Sequence, residues 1–158
     1  KEFKVNALPD STWEFVERKQ ILIEKGKNNE PLVNDFTLIA ASGTDSTEAV
    51  LSVPGEYYLL FIKDVTLLPK DWVEDQRMVA VLRQRGKQVF VVSSQRKNTE
   101  DRYSSLFVDN KRLSIPVFTC DATALKTAAR NNITLYLMNG PVVKSKWGGN
   151  DIEKAIDK

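Results

Sequence analysis

Histidine is absent from the 158 residues and cysteine occurs once, at position 120. Without an imidazole there is no histidine general base, no Ser-His-Asp triad and no histidine zinc site. A single cysteine cannot close a disulfide within the chain or supply a Cys-x-x-Cys pair, so cysteine usage leaves the compartment open. Cys120 stands between an expected strand ending at Thr119 and a helix beginning near Asp121. A helix N-terminus lowers a thiol pKa. Asp121, however, is adjacent and negative, and free cysteine is among the most buried residue types. The structural reading of Cys120 is therefore favoured, and a catalytic thiol is the weaker candidate.

Four other patterns could carry chemistry or mark a site. Ser94-Gln95-Arg96-Lys97 matches the Ser-x-x-Lys pattern of penicillin-recognising enzymes. There the serine opens a helix and the lysine lies one turn on; here the motif leaves a strand and no Lys-Thr-Gly follows, which argues against catalysis. Asp64, Asp71, Glu74 and Asp75 could together hold a divalent cation. Asp71, Glu74 and Asp75 equally suit a first helical turn, where they oppose the dipole, and that reading is preferred. Trp13, Trp72 and Trp147 could mark an aromatic binding surface, although single tryptophans more often pack in or against a core. Asn132-Ile133-Thr134 fits a glycosylation sequon but enters an expected strand.

The elements that would position these residues centre on Tyr57 to Ser94. Tyr57–Ile62 and Val89–Val92 are apolar at nearly every position, the mark of strands covered on both faces. Between them, from Trp72, a helical pattern places Trp72, Val79 and Leu82 on one side, with Glu74, Asp75, Arg77 and Arg83 mostly off it. Gly86 falls where a left-handed cap stops a helix. Strand, helix, strand is the βαβ unit of a parallel sheet. The loop Asp64, Val65, Thr66, Leu67, Leu68, Pro69, Lys70, Asp71 leaves the C-terminal end of its first strand, where open α/β proteins place their chemistry. No reactive group stands out in it.

Elsewhere the pattern predicts a short strand at Asp35–Ile39, a helical turn at Thr47–Leu51 capped by Ser46 or Thr47, and a helix through Phe107 capped by Thr99, with Tyr103, Leu106 and Phe107 on one stripe and Asn110 and Lys111 ending it. A strand at Ile115–Thr119 carries a proline suited to an early or edge position. A helix at Ala122–Arg130 is capped by Asp121 or Thr119, with Leu125, Ala128 and Ala129 inward. Asn139-Gly140 joins Thr134–Met138 to Val142–Trp147 as a hairpin. Asn150 caps a last helix bearing Ile152, Ala155 and Ile156. Residues 1–30 form an N-terminal extension, expected as short strands docked on the body, residues 31–158. Apolar residues make up 42% of the chain, enough for one core, and 23 basic against 21 acidic residues give no electrostatic case for a nucleic-acid partner. No run of about 18 apolar residues is present.

This order of elements resembles the thioredoxin-like one. Ala128 through Val143, with its Asn139-Gly140 turn, resembles the thioredoxin hairpin. Asn34–Leu38 looks like the first strand of the peroxiredoxin and thiol-reductase branch. Asp10–Val16, Asn34-Asp35-Phe36, Asp45, Pro54-Gly55-Glu56-Tyr57 and Leu125-Lys126-Thr127 are similar to the soluble C-terminal region of bacterial DoxX-like membrane proteins.

The resemblance implies an α/β fold, a mixed sheet with flanking helices and an N-terminal β extension. It also locates what is missing. Thioredoxins carry Cys-x-x-Cys between the central strand and its helix, where this chain has Val65 to Lys70. The thioredoxin proline before the hairpin strand corresponds to Asn132 or Ile133. The expectation is a redox-inactive accessory or interaction domain, with no cofactor and no metal. It belongs to a larger bacterial protein anchored at a membrane through an upstream part, the periplasmic side being favoured. Its partner is a protein or the membrane part of its own chain. Two alternatives stand: a thiol-dependent enzyme pairing Cys120 with a partner's cysteine, and a small-molecule or metal-binding module at Asp64–Asp71.

Overall fold

The computed structural model describes residues 10, 12, 14, 36–69, 73–108 and 110–157. The chain divides into two units, Lys1–Pro31 and Leu32–Lys158. The expected strands and docking of residues 1–30 fall outside the described residues, as do Trp13, Lys70, Asp71 and Trp72.

The two apolar runs form β1 (Glu56–Ile62) and β2 (Gln88–Ser93), paired in parallel from Tyr57 opposite Gln88 to Ile62 opposite Ser93. Every β1 side chain after Glu56 is buried. Burying each contributes roughly 1.5–3 kcal/mol, which is why the run is uninterrupted. Between the strands runs α2 (Glu74–Gln84), after the short α1 (Thr47–Leu51). Gly86 ends α2 at φ +74. Its N–H reaches the Arg83 carbonyl (3.0 Å) and the Lys87 N–H reaches that of Leu82 (2.9 Å), so two end carbonyls are satisfied by a backbone that a β-carbon would disfavour.

The hairpin joins the other side of β1. Following α3 (Arg96–Tyr103) and the short strands β3 (Phe107–Val108), β4 (Lys111–Arg112) and β5 (Val117–Thr119), α4 (Ala122–Ala128) leads into β6 (Ile133–Asn139) and β7 (Val142–Gly148). β6 is antiparallel to β1 and to β7, with a register shift at Leu137/Met138. Gly140 turns at φ +54, and Tyr57 Oη donates to its carbonyl (2.8 Å), pinning the turn to the sheet. β5 pairs in parallel with β2, giving the order β5-β2-β1-β6-β7. Pro116 precedes β5 at this outer position, where its missing N–H removes no ladder bond from the sheet, and its carbonyl accepts from Val91 N–H (2.9 Å).

Both faces of the mixed sheet are covered. Tyr58, Leu60, Ile62, Val89, Val91 and Leu135 pack with Met78, Val79 and Leu82 of α2 and with Ile152 and Ala155. Tyr57, Leu59, Phe61, Val92 and Met138 pack on the other face with Leu38, Val50 and Ala124, Leu125 and Ala129.

Several local expectations are corrected. The described part of Asp35–Ile39 is not a strand. Ile39 makes two isolated antiparallel bridges, one to Thr119 with two 2.8 Å bonds exchanged and one to Asp45, where the chain folds back so that Ser46 N–H binds Leu38 O. At α1 Ser46 is the N-cap residue as expected, but its side chain makes no capping bond. Asp45 Oδ1 accepts from Thr47 N–H (2.9 Å) and Thr47 Oγ1 (2.6 Å), leaving the threonine oxygen to accept from Leu38 N–H. Thr99 does not open a helix; it lies one turn inside α3, its hydroxyl donating to the Gln95 carbonyl (2.9 Å).

Phe107 is not on a helical stripe but on β3, 59% exposed. Asn110 at φ +61 turns β3 into β4, a conformation asparagine adopts at little cost. α4 stops at Ala128, two residues early, because Ala129 is already extended. The closing segment Gly149–Asp157 is a 3₁₀ helix that buries Ile152 and Ala155.

Candidate functional site

The chain leaves β1 through Lys63 and Asp64. Asp64 is extended, and its Oδ1 accepts from the Thr66 N–H (2.9 Å) and hydroxyl (2.6 Å), starting a single 3₁₀ turn, Val65–Leu67. Those bonds hold the Asp64 carboxyl below the usual carboxylate range, the Thr66 hydroxyl contributing most. The side-chain amide of Asn132 pairs with the Asp64 backbone on both sides, Oδ1 taking its N–H and Nδ2 giving to its carbonyl, each at 2.9 Å. Lys63 N–H binds the Asn132 carbonyl (2.9 Å), Lys63 Nζ binds that of Arg130 (2.7 Å), and Val65 N–H binds Gln95 Oε1 (3.0 Å).

The fold thus gathers three strand ends: the loop after β1, the segment before β6, and Gln95 after β2. Two groups singled out in the sequence, Asp64 and Asn132, meet directly. Ile133 opens β6 opposite Ile62 and is buried. Val65 and Leu68 turn into the α2-side core, whereas Thr66, Leu67 and Pro69 face solvent. The cluster joins backbone and amide groups with the Lys63 ammonium, the Asp64 carboxylate and the Thr66 hydroxyl, and among the described residues it holds no sulfur.

Of the acidic residues singled out, Asp64 belongs to the joint, Asp71 lies outside the described residues, and Asp75 is engaged elsewhere. Asp75 does lie in the first turn of α2, but it is fully buried rather than off the apolar side. Arg102 grips its carboxylate with two bonds (Nε 2.9 Å, Nη2 2.7 Å), and Tyr103 Oη donates a third at 2.6 Å. Gln76 Nε2 adds a bond to the Arg102 carbonyl (2.8 Å), so α2 and α3 are locked together. Burial and then the Asp75 charge push the Tyr103 hydroxyl pKa well above its ordinary value; the Asp75 bond holds the Arg102 guanidinium more firmly charged.

The sequence did hold a signal for this arrangement. Asp75, Met78, Val79 and Leu82 repeat at the spacing of one helical face, and all four are buried. Among the described residues no group of three or more acidic or cysteine side chains could hold a metal ion.

Cys120 is 2% exposed and packs among Leu38, Phe118, Ala124 and Leu125, on the sheet face opposite Val65. Burial first, and the Asp121 charge second, push its thiol up to about 11. Asp121 itself caps α4, accepting from the N–H groups of Thr123 (2.8 Å) and Ala124 (3.2 Å). Ser94 is exposed just before α3 and Lys97 is exposed within it. Trp147 is half-buried, its ring 6.5 Å from that of Tyr58. The sequon is closed to modification, because Asn132 is engaged with Asp64 and Thr134 is buried.

A family model described as a domain of unknown function (DUF8463) matches residues 1–25. No curated protein matches the chain. Solved structures do. The chain is similar to the exposed lipoprotein thioredoxin Etrx1 of Streptococcus pneumoniae, at 15% identity and a TM-score of 0.51, over 78% of this chain and 98% of that one. It is similar to yeast Sco1 with copper bound, at 16% identity and 0.51, over 81% and 90%. Bradyrhizobium japonicum ScoI with copper bound gives 14% and 0.50, over 77% and 93%. At these identities the likeness concerns the fold alone. The five-stranded mixed sheet with its flanking helices is a thioredoxin-like fold.

Proposed function

We propose that this chain is a thioredoxin-like domain without dithiol chemistry, acting as an accessory or interaction domain of a larger protein. The observation that carries the reading is the make-up of the strand-end joint. Where the resemblance puts a reactive sulfur pair, Asp64 to Pro69 offer no sulfur, and the backbone at Asp64 and Val65 is tied to Asn132 and Gln95. The one thiol of the chain is buried on the other face and stays protonated at neutral pH. A dithiol cycle needs one thiolate to attack and a second sulfur to resolve.

The copper of the Sco structures is not carried over. Copper(I) takes thiolate, thioether or imidazole ligands; this chain has no histidine, a single, buried cysteine, and two methionines, Met78 and Met138, buried in the cores on opposite sheet faces. The same burial weighs against a thiol enzyme that borrows a partner's cysteine. The metal-binding alternative at Asp64–Asp71 is weakened because Asp64 Oδ1 is engaged by Thr66 and Asp75 by Arg102.

The bacterial, membrane-anchored setting rests on the DoxX-like motifs, and the periplasmic side goes with it. The partner would be another protein or the membrane part of the same chain. The near-balance of charge supports this over nucleic acid.

Insulin reduction with the purified domain tests the central claim. Turnover at the level of a no-protein control is expected, together with slow labelling of Cys120 by a thiol reagent until denaturant is added. Clear turnover that disappears in Cys120→Ser, or fast labelling of the native protein, would overturn it.

A further inference from the structure

We draw no further inference here: the strongest candidate, the open groove of about 610 Å³ between α1 and the tip of the β6–β7 hairpin, lined by Leu51, Pro141, Asp45 and Glu48 with the exposed Val142 and Val143 following Pro141 in the chain, carries nothing because no feature of the structure shows what covers it.

Discussion

Two polar clusters hold this domain together, and they are built on opposite principles. The joint at the end of β1 rests on amide and backbone groups, the Asn132 and Gln95 amides meeting the backbone of Asp64 and Val65 in a half-exposed setting, with the Lys63 ammonium and the Asp64 carboxylate bonded beside them. The cluster between α2 and α3 is ionic and dry, a carboxylate with no exposed surface gripped by a guanidinium and a phenol. A half-exposed joint is tolerant: water can replace a lost partner. A buried ion pair is not, because removing one member strands the other away from water. The strand-end position expected to carry chemistry therefore holds a forgiving structural contact. The demanding one lies under the helices, at a distance from any expected active site.

Asp75→Ala should separate the two clusters most sharply. It removes both Asp75 bonds from Arg102, whose side chain is only 10% exposed, and should lower stability by about 3–5 kcal/mol in a urea titration. A loss under 1 kcal/mol would mean that the ion pair is not the demanding contact. Tyr103→Phe comes next, at about 1.5–3 kcal/mol for one hydrogen bond to a charged group.

The tyrosine variant also has a pH signature. The folded state keeps the Tyr103 proton that the unfolded chain releases near its ordinary value of 10.0. Its contribution is thus complete below pH 10 and falls away as the pH rises beyond it. The alkaline slope of stability should shrink in Tyr103→Phe and stay unchanged in Asn132→Ala. Equal slopes in the two variants would break the distinction.

Asn132→Ala removes both amide bonds to Asp64, with an expected loss of about 1–2 kcal/mol. Exchange of the Asp64 amide hydrogen should speed up while the β1 interior stays protected; unchanged exchange at Asp64 would show that the amide pairing is dispensable. Asp64→Asn should have the smallest effect, a drop in Tm of no more than about 3 °C at neutral pH. The Asp64 carboxyl is held low by Thr66, so its contribution is present above the ordinary value of 3.8 and lost as pH falls through the lowered one. The variant should flatten that acid limb, and an unaltered limb would argue against the Thr66 contact.

The ease with which each part could be read follows from the range of its causes. β1 and β2 were legible because a strand covered on both faces must be apolar throughout. Gly86 and Asn139-Gly140 were legible because left-handed turns restrict residue choice locally. The meeting of Asp64 with Asn132 was not legible, since no local pattern links residues 68 apart. Ile39 was over-read as part of a strand because a β-branched residue in an apolar run looks the same whether it makes isolated bridges or a ladder. Phe107 was drawn into a helix by its spacing from Tyr103, although Asn110 carried the contrary signal. Asp75 was misplaced because charge was weighed above periodicity, and only its partners, 27 and 28 residues away, make burial affordable.

The pairing of β1 with β6 has a consequence for how the chain comes into being. Tyr57 and the Gly140 carbonyl that it binds are 83 residues apart. A growing chain therefore exposes its most apolar strand long before the partner for one of its two sides has been synthesised. Until β6 arrives, Tyr57–Ile62 is an edge rather than a centre, flat, uncharged and able to pair with any other extended chain. The hydrogen bond that fixes the finished hairpin also marks the point at which the nascent protein ceases to be a hazard to its neighbours.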